Sequence, residues 1–319
     1  LNLEKTIRVT VQSIQQETPS IKSFTLSSVE GETLPLFSGG SHITTYIEKE
    51  NEIIARSYSL TTHPEHNQSY RISISLSEAS KGGSYYWHHH IQIGDTLRIS
   101  YPKNDFPLSF KAKHHVFYAG GIGITPFLSM MAELQSEGGS FELHYAAKTK
   151  ETCAFYSFIK EQYPKQTSFY FSQESESNRL SEATLLEHPI GSHVYFCGPE
   201  GFTRHFIKTA KQIGYPTCSI HYEQFTPPLP LKMNPFQVEL TNGQTIYVTK
   251  EKTLLEALLE SGIEVPYSCR LGRCGTCELE VLEGQVDHYD SFLSEEEKKN
   301  QDVIISCVSR AKSDKIVVK

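Results

Sequence analysis

Four cysteines limit what this chain can fold into more than any other feature. Cys269, Cys274 and Cys277 form a C-x4-C-x2-C run, and Cys307 follows in the same C-terminal part of the chain. Four thiolates at this spacing are the plant-type set for a [2Fe–2S] cluster. Gly272 and Gly275 fall between the ligands. A loop wrapped round a small cluster needs positive φ angles there and N–H groups turned towards the sulfurs. Structural zinc is the alternative, but it favours paired C-x2-C knuckles. Here the first gap is longer, and Cys307 stands alone in an apolar run, 303–308, that reads as a strand. A cluster of this type passes one electron at a time, so the rest of the chain is expected to supply electrons.

The chain has 319 residues, enough for two or three domains, and 38% of them are hydrophobic. Its net charge of −7 leaves no global basic footprint for nucleic acid. No apolar run approaches the roughly 18 residues that would span a membrane. The segment Leu1–Thr10 alternates like a strand and has no signal-peptide core. Cys153, Cys197 and Cys218 sit at no useful spacing, which fits a reducing compartment and a cytoplasmic location.

Residues 1–108 read as short alternating strands: 7–14, 21–26, 42–47, 70–76 and 96–100. Short strands without long helices predict an antiparallel β-barrel. Two pieces inside it stand out, Arg56-Ser57-Tyr58-Ser59 and Lys81-Gly82-Gly83-Ser84. The second leads into a short helix with Ser84 as its expected N-cap, and a glycine turn at a helix start is an anion site. His88, His89 and His90 follow one another on that helix and so do not face one another; a solvated face is expected rather than a metal site.

Residues 109–225 change character. An apolar strand, 116–119, runs into Gly120-Gly121-Ile122-Gly123-Ile124-Thr125-Pro126 and then a helix. Strand, glycine turn and helix together present N–H groups to a pyrophosphate. Strands at 141–147, 168–172, 193–196 and 219–223 alternate with helices at 152–162, 181–186 and 200–213. That alternation predicts an α/β domain with a parallel sheet, its ligand at the carboxyl ends of the strands. Cys197-Gly198-Pro199 falls at such an end.

Residues 226–235 are proline-rich and read as a linker. Residues 236–319 follow as a ferredoxin domain. A hairpin with a two-residue Asn242-Gly243 turn is expected, then a helix from Thr253 with Glu256 completing a capping box and Gly262 ending it. The cluster loop comes next, then a strand at 278–283, a polar helix at 295–300 and the strand with Cys307. Arg270 and Arg273 flank the ligands, either exposed to solvent or steering an acidic partner.

Taken together, R-S-Y-S, K-G-G-S, G-G-I-G-I-T-P, C-G-P, H-Y-E-Q-F and S-C-R-L-G-R-C-G-T-C resemble the phthalate dioxygenase reductase-like family, which includes vanillate demethylase and carnitine monooxygenase reductases. The resemblance covers the whole chain and implies a flavin barrel, an NAD-binding domain and a β-grasp ferredoxin domain. It implies that Arg56, Ser57, Tyr58, Ser59, Ser73, Ile74 and Phe225 line the flavin and that Lys81, Gly82, Gly83 and Ser84 hold its phosphate. Gly120, Gly121, Gly123, Gly198 and Pro199 would bind the nicotinamide nucleotide, with Thr125, Cys197 and Glu223 at the reacting centre. FMN is implied over FAD, because K-G-G-S suits a terminal phosphate. NADH is implied over NADPH, although Lys148 and Lys150 at a strand end leave a 2′-phosphate open. A nicotinamide gives two electrons at once, a [2Fe–2S] cluster takes one, and a flavin can do both. The implied acceptor is the Rieske centre of a separate terminal oxygenase. A stand-alone reductase of small acceptors and a zinc-stabilised, non-catalytic nucleotide-binding protein are the alternatives.

Overall fold

A computed structural model describes residues 6–49, 52–77, 82–174, 178–225 and 234–319. The chain forms two compact units, Asn2–Gln224 and Phe225–Lys319. No helix among the described residues is long and apolar enough to cross a membrane.

The first unit opens with six strands: β1 (Thr6–Thr18), β2 (Ile21–Ser28), β3 (His42–Lys49), β4 (Glu52–Ser59), β5 (Tyr70–Ser75) and β6 (Thr96–Ser100). They pair in the order β4-β3-β6-β1-β2-β5, each neighbour antiparallel. A bridge between Leu60, just past β4, and Ile72 of β5 joins the two outer strands, so the sheet closes into the expected barrel. Closure removes the exposed edges that an open sheet leaves unpaired. Val9, Val11, Phe24, Leu26, Ile72 and Ile74 alternate into its core. The short helix α1 (Gly83–His89) drops Trp87 into that core against the edge of Phe24.

The same unit continues into a parallel sheet of β7 (His114–Gly120), β8 (Phe141–Ala147), β9 (Thr167–Phe171), β10 (Ser192–Cys197) and β11 (Ile220–Glu223), ordered β11-β10-β7-β8-β9. The chain starts at the central strand, winds outward to β9, then returns to lay β10 on the other side. That puts the reversal of strand order between β7 and β10, where such sheets bind their ligands. Helices α2 (Thr125–Glu137), α3 (Tyr156–Gln162) and α4 (Glu200–Gln212) alternate with the strands. Separate apolar clusters fill the two faces, one around Phe117, Phe127 and Tyr145, the other around Tyr118, Phe196 and Phe206. Barrel and sheet pack on each other: the Gly39 N–H donates to the Glu133 carboxylate, and the Gly40 N–H to Ser129 Oγ at 3.1 Å.

Two expected helices are shorter here. The Thr149 and Thr152 hydroxyls bond to nearby backbone, and this local competition delays α3 to Tyr156. Residues 182–186 form only a 3-10 turn, capped by Ser181.

The second unit holds β12 (Phe236–Leu240), β13 (Thr245–Val248), α5 (Leu254–Glu260), β14 (Glu278–Glu283), β15 (Val286–Asp287), α6 (Glu295–Asn300), β16 (Val303–Ile305), β17 (Arg310–Ala311) and β18 (Lys315–Val318). The sheet runs β13-β12-β18-β14-β16, with β12 and β18 parallel. α5 packs Leu254, Leu255 and Leu258 into the core beneath it, and the capping box of Thr253 and Glu256 starts it as expected. The β12–β13 turn is not the expected two-residue form. Only Gly243 takes a positive φ (84°), and its N–H donates to the Leu240 carbonyl at 2.8 Å. This is the longer loop that ends in a left-handed glycine. Of the expected linker, 226–233 lie outside the described residues.

Candidate redox site

The cluster loop is built by glycines and backbone donors around the four cysteines. Gly272 and Gly275 have φ of 72° and 69°. A Cβ on Gly272 would meet Val308 Cγ2 at 2.5 Å, and one on Gly275 would meet the Phe292 ring at 2.3 Å. Both positions therefore need glycine for conformation and for space. The Leu271 N–H donates to Cys269 Sγ at 3.3 Å, and the Thr276 hydroxyl to Cys274 Sγ at 3.2 Å. Backbone N–H groups of Arg273, Thr276 and Gly272 also point at Cys269, Cys274 and Cys307 respectively.

Cys307 is not in a strand. β16 ends at Ile305, and the N–H groups of Val308 and Ser309 both return to the Ile305 carbonyl. This turn carries the thiol out of the alternating pattern of a strand and towards the loop.

The cysteines associate two by two. Cys269 hydrogen-bonds Cys274, and Cys277 hydrogen-bonds Cys307; the bond from its partner pushes each of Cys274 and Cys277 down, and the partners go up. One zinc ion would draw all four sulfurs round a single point. Among the described residues, the set of three or more possible ligand atoms mutually within 4.8 Å lies elsewhere, at Glu142, His144 and His188. Two pairs of thiols amid N–H donors suit a two-iron cluster. Arg270 and Arg273 are half-buried rather than solvated, and the Arg270 guanidinium lies 4.3 Å from the centre of the Tyr267 ring.

At the barrel corner, two of the expected pieces converge. A Cβ on Gly83 would meet Arg56 Cγ at 3.0 Å and Nε at 3.2 Å, so the Arg56 side chain lies along the start of α1. The helix cap is Gly82, with φ 105°, and not Ser84; the Ser84 hydroxyl accepts instead from the Ser77 N–H at 3.2 Å. Lys81 lies outside the described residues. Tyr58 meets the edge of Trp87 with ring centres 6.1 Å apart, and burial raises its pKa. The Ser57 hydroxyl is tied to that of Thr44 at 3.1 Å, and Ser59 is buried. Thr44 had no signal in the sequence, because only strand pairing brings it opposite Ser57.

Ser73 and Ile74 turn their side chains to the protein itself. The Ser73 hydroxyl shares a hydrogen bond with Ser23 at 2.8 Å, and Ile74 fills the barrel core. In the histidine run, His88 Nε2 bonds the Ile74 carbonyl at 2.9 Å, and His89 stacks on Tyr85.

The two loops expected to bind the nucleotide meet at the β7/β10 fork. Cys197 pairs with Ala119 on one side and with Glu223 on the other. A Cβ on Gly123 would lie 2.2 Å from the Cys197 carbonyl oxygen, and one on Gly198 would lie 3.0 Å from Gly120 Cα. A Cβ on Gly120 would meet Pro199 Cδ at 2.9 Å. The two turns thus touch backbone to backbone. Gly121 has a φ of 54°, and its carbonyl accepts from the Tyr145 hydroxyl at 3.0 Å. The Thr125 hydroxyl donates to the Ile122 carbonyl at 3.0 Å, closing the turn at the first residue of α2. This turn packs beside β5 of the barrel. Cys197 is fully buried, Glu223 is buried, and Phe225, in the second unit, is 41% exposed.

Residues 238–312 match the family "2Fe-2S iron-sulfur cluster binding domain", and residues 101–220 match "Dimethylamine monooxygenase subunit DmmA-like, N-terminal domain". The carnitine monooxygenase reductase subunit of Acinetobacter pittii is 40% identical over 96% of this chain and 99% of its own. The chain belongs to this family of oxygenase reductases. The vanillate O-demethylase oxidoreductase of Acinetobacter baylyi is 38% identical over 97% of this chain and 98% of its own. Phthalate dioxygenase reductase, solved as a modular structure for electron transfer from pyridine nucleotides to [2Fe–2S], superposes with a TM-score of 0.80 at 29% identity. That match covers 99% of this chain and 98% of the solved one. This reductase is therefore an oxidoreductase with a flavin- and NAD-binding unit and a [2Fe–2S] ferredoxin domain, serving an oxygenase system.

Proposed function

We propose that this reductase holds FMN at the Arg56–Gly83 corner and NADH at the β7/β10 fork, and delivers single electrons through the four-cysteine loop to a terminal Rieske-type oxygenase. Bound flavin supplies the exchange between a two-electron donor and a one-electron acceptor. The chain's own residues orient and shield. Arg56 lays its side chain against Gly83 at the start of α1, and a guanidinium beside a glycine turn suits a terminal phosphate. Tyr58, backed by Trp87, offers a face for an aromatic ring, and Ser57 and Ser59 line the same strand. Gly120, Gly121, Gly123 and Thr125 shape the pyrophosphate turn, with Cys197, Gly198 and Pro199 across from it and Glu223 on the neighbouring strand. Ser73 and Ile74 contribute through strand backbone.

The convergence of Arg56 on Gly83 carries this reading, because neither piece is an anion site without the other. NADH is favoured by Glu174. Its carboxylate accepts from the Lys150 N–H at 2.8 Å, and so lies at the tip of β8, where an acidic group suits a ribose diol and opposes a 2′-phosphate. Its position was invisible in the sequence, since it comes from the segment after β9. Cys153, Cys197 and Cys218, the cysteines outside the cluster set, form no disulfide, which fits the cytoplasm.

The test is chromatographic identification of the flavin released from the purified protein, followed by turnover with each nucleotide and with candidate oxygenases. FMN, a kcat/KM preference for NADH and coupled turnover with a Rieske oxygenase are expected. FAD, an NADPH preference, or turnover only with a haem enzyme or a small quinone would each overturn the corresponding part.

A further inference from the structure

One cluster of donor side chains lies apart from the redox site. Glu142 and His144 stand two residues apart on β8 and so share a face of the parallel sheet. Glu142 is opposite Val116, at the far end of the strand pair from Gly120 and its partner Ala146. His188 joins them from the segment before β10. Their ligand atoms lie within 4.8 Å of one another.

Hydrogen bonding determines which atoms are available. Thr184 Oγ1 donates to the Ser181 carbonyl at 2.8 Å, so it accepts from the Tyr118 hydroxyl at 3.1 Å. Tyr118 Oη in turn accepts from His188 Nε2–H at 2.7 Å. That leaves His188 Nδ1 facing Glu142 Oε1, 2.5 Å away. On His144, Nδ1 is engaged by the Tyr170 hydroxyl at 2.9 Å. His144 Nε2 is buried with no hydrogen-bond partner, on a residue only 6% exposed. Leaving a polar atom orphaned in an interior is costly. A plain ion-pair network accounts for Glu142 and His188 but leaves this nitrogen unexplained.

We propose that Glu142, His144 Nε2 and His188 Nδ1 form a binding site for a divalent cation of the zinc class, with a fourth position open to water. Two imidazoles and a carboxylate are a donor set such an ion takes. Each histidine has its far nitrogen held by a tyrosine hydroxyl, which is how ligating imidazoles are oriented. His114 Nε2, 3.4 Å from Glu142 Oε1, steadies the carboxylate. The Glu142 side chain is 34% exposed and gives the ion an entry path. Bonds of about 2.0–2.1 Å set the ligand atoms roughly 3.4 Å apart, so the Glu142–His188 pair must open from 2.5 Å, a movement within reach of the partly exposed Glu142. Binding displaces the proton shared by His188 Nδ1 and Glu142 to solvent and moves no electron. The ion would clip the segment before β10 to β8.

The test uses the fully iron-loaded, flavin-loaded protein, because empty cluster cysteines would capture zinc themselves. It is dialysed against buffered micromolar Zn2+, and zinc and iron are counted together. One zinc per chain with unchanged iron is expected. His144→Asn and Glu142→Gln should each weaken zinc binding at least about tenfold, leaving reduction of the flavin by NADH unchanged. Zinc anomalous scattering from crystals of the unmodified protein gives a readout that needs no variant. No zinc, zinc gained only as iron is lost, equal binding by the variants, or anomalous density away from these three side chains would each overturn the site.

Discussion

The cluster loop and the proposed nucleotide fork both depend on glycine, but on that proposal they specify their ligands in opposite ways. At the cluster loop, side chains choose the ligand: four thiols define it, and Gly272 and Gly275 only let the chain bend tightly enough under Val308 and Phe292. At the fork, the backbone chooses. Gly120, Gly123 and Gly198 matter because no Cβ stands between two turns that touch. A site made of side chains fails when a donor is removed, whereas a site made of bare backbone fails when an atom is added.

That contrast can be broken most sharply at Cys274. Cys274→Ala should abolish the visible iron–sulfur absorption while NADH still reduces the flavin; loss of both would show that the units are not independent. The opposite kind of lesion is Gly123→Ala. Its methyl must displace the Cys197 carbonyl, a backbone atom that cannot swing aside, so kcat/KM for NADH should fall on the order of 100-fold with iron content unchanged. A variant with normal NADH kinetics would remove the fork from the nucleotide site. At the flavin corner, Arg56→Ala should weaken flavin retention about tenfold, the scale of one charge-assisted hydrogen bond, as read by equilibrium dialysis. Unchanged affinity would leave Gly82 and Gly83 as an ordinary loop.

The smallest effect is on stability. Burial pushes the His144 imidazole from 6.5 down to about 4, with Glu142 opposing and His188 adding to the shift. Its folded value is the lower one, so the unfolded chain takes up the proton first. This contribution to stability is complete above 6.5 and is lost as pH falls towards 4, by at most about 1.4 kcal/mol per pH unit. Hydrogen bonds from His114 and His188 hold Glu142 below the usual carboxylate range, which adds a loss of the same sign at lower pH. Denaturant melts in zinc-free buffer should show the slope between these values, and His144→Asn should flatten it.

The strand and helix pattern was readable where local chemistry decides. β6, β8, β14, α6 and the capping box of α5 follow from alternation, run length and one Thr–Glu pair. At Cys307 and at the start of α1 it was misread because a neighbour distant in sequence intervenes. The residues carrying Cys307 have the composition of a strand, yet they turn so that the thiol reaches a loop thirty positions earlier. Gly82 displaced Ser84 as the cap because α1 must start where Trp87 can enter the core.

By itself, the order of residues determined the ligand chemistry of this reductase. Thiol spacing, glycine turns and the R-S-Y-S strand are chemical facts of single segments, and no fold is needed to recognise them. Only the tertiary structure decided which segments act together: Arg56 with Gly83, Gly123 with Cys197, Glu174 with the end of β8, and Glu142 and His144 with His188. Each pairing joins parts of the chain whose separation is closed by strand register and core packing, and neither leaves a mark on the local sequence.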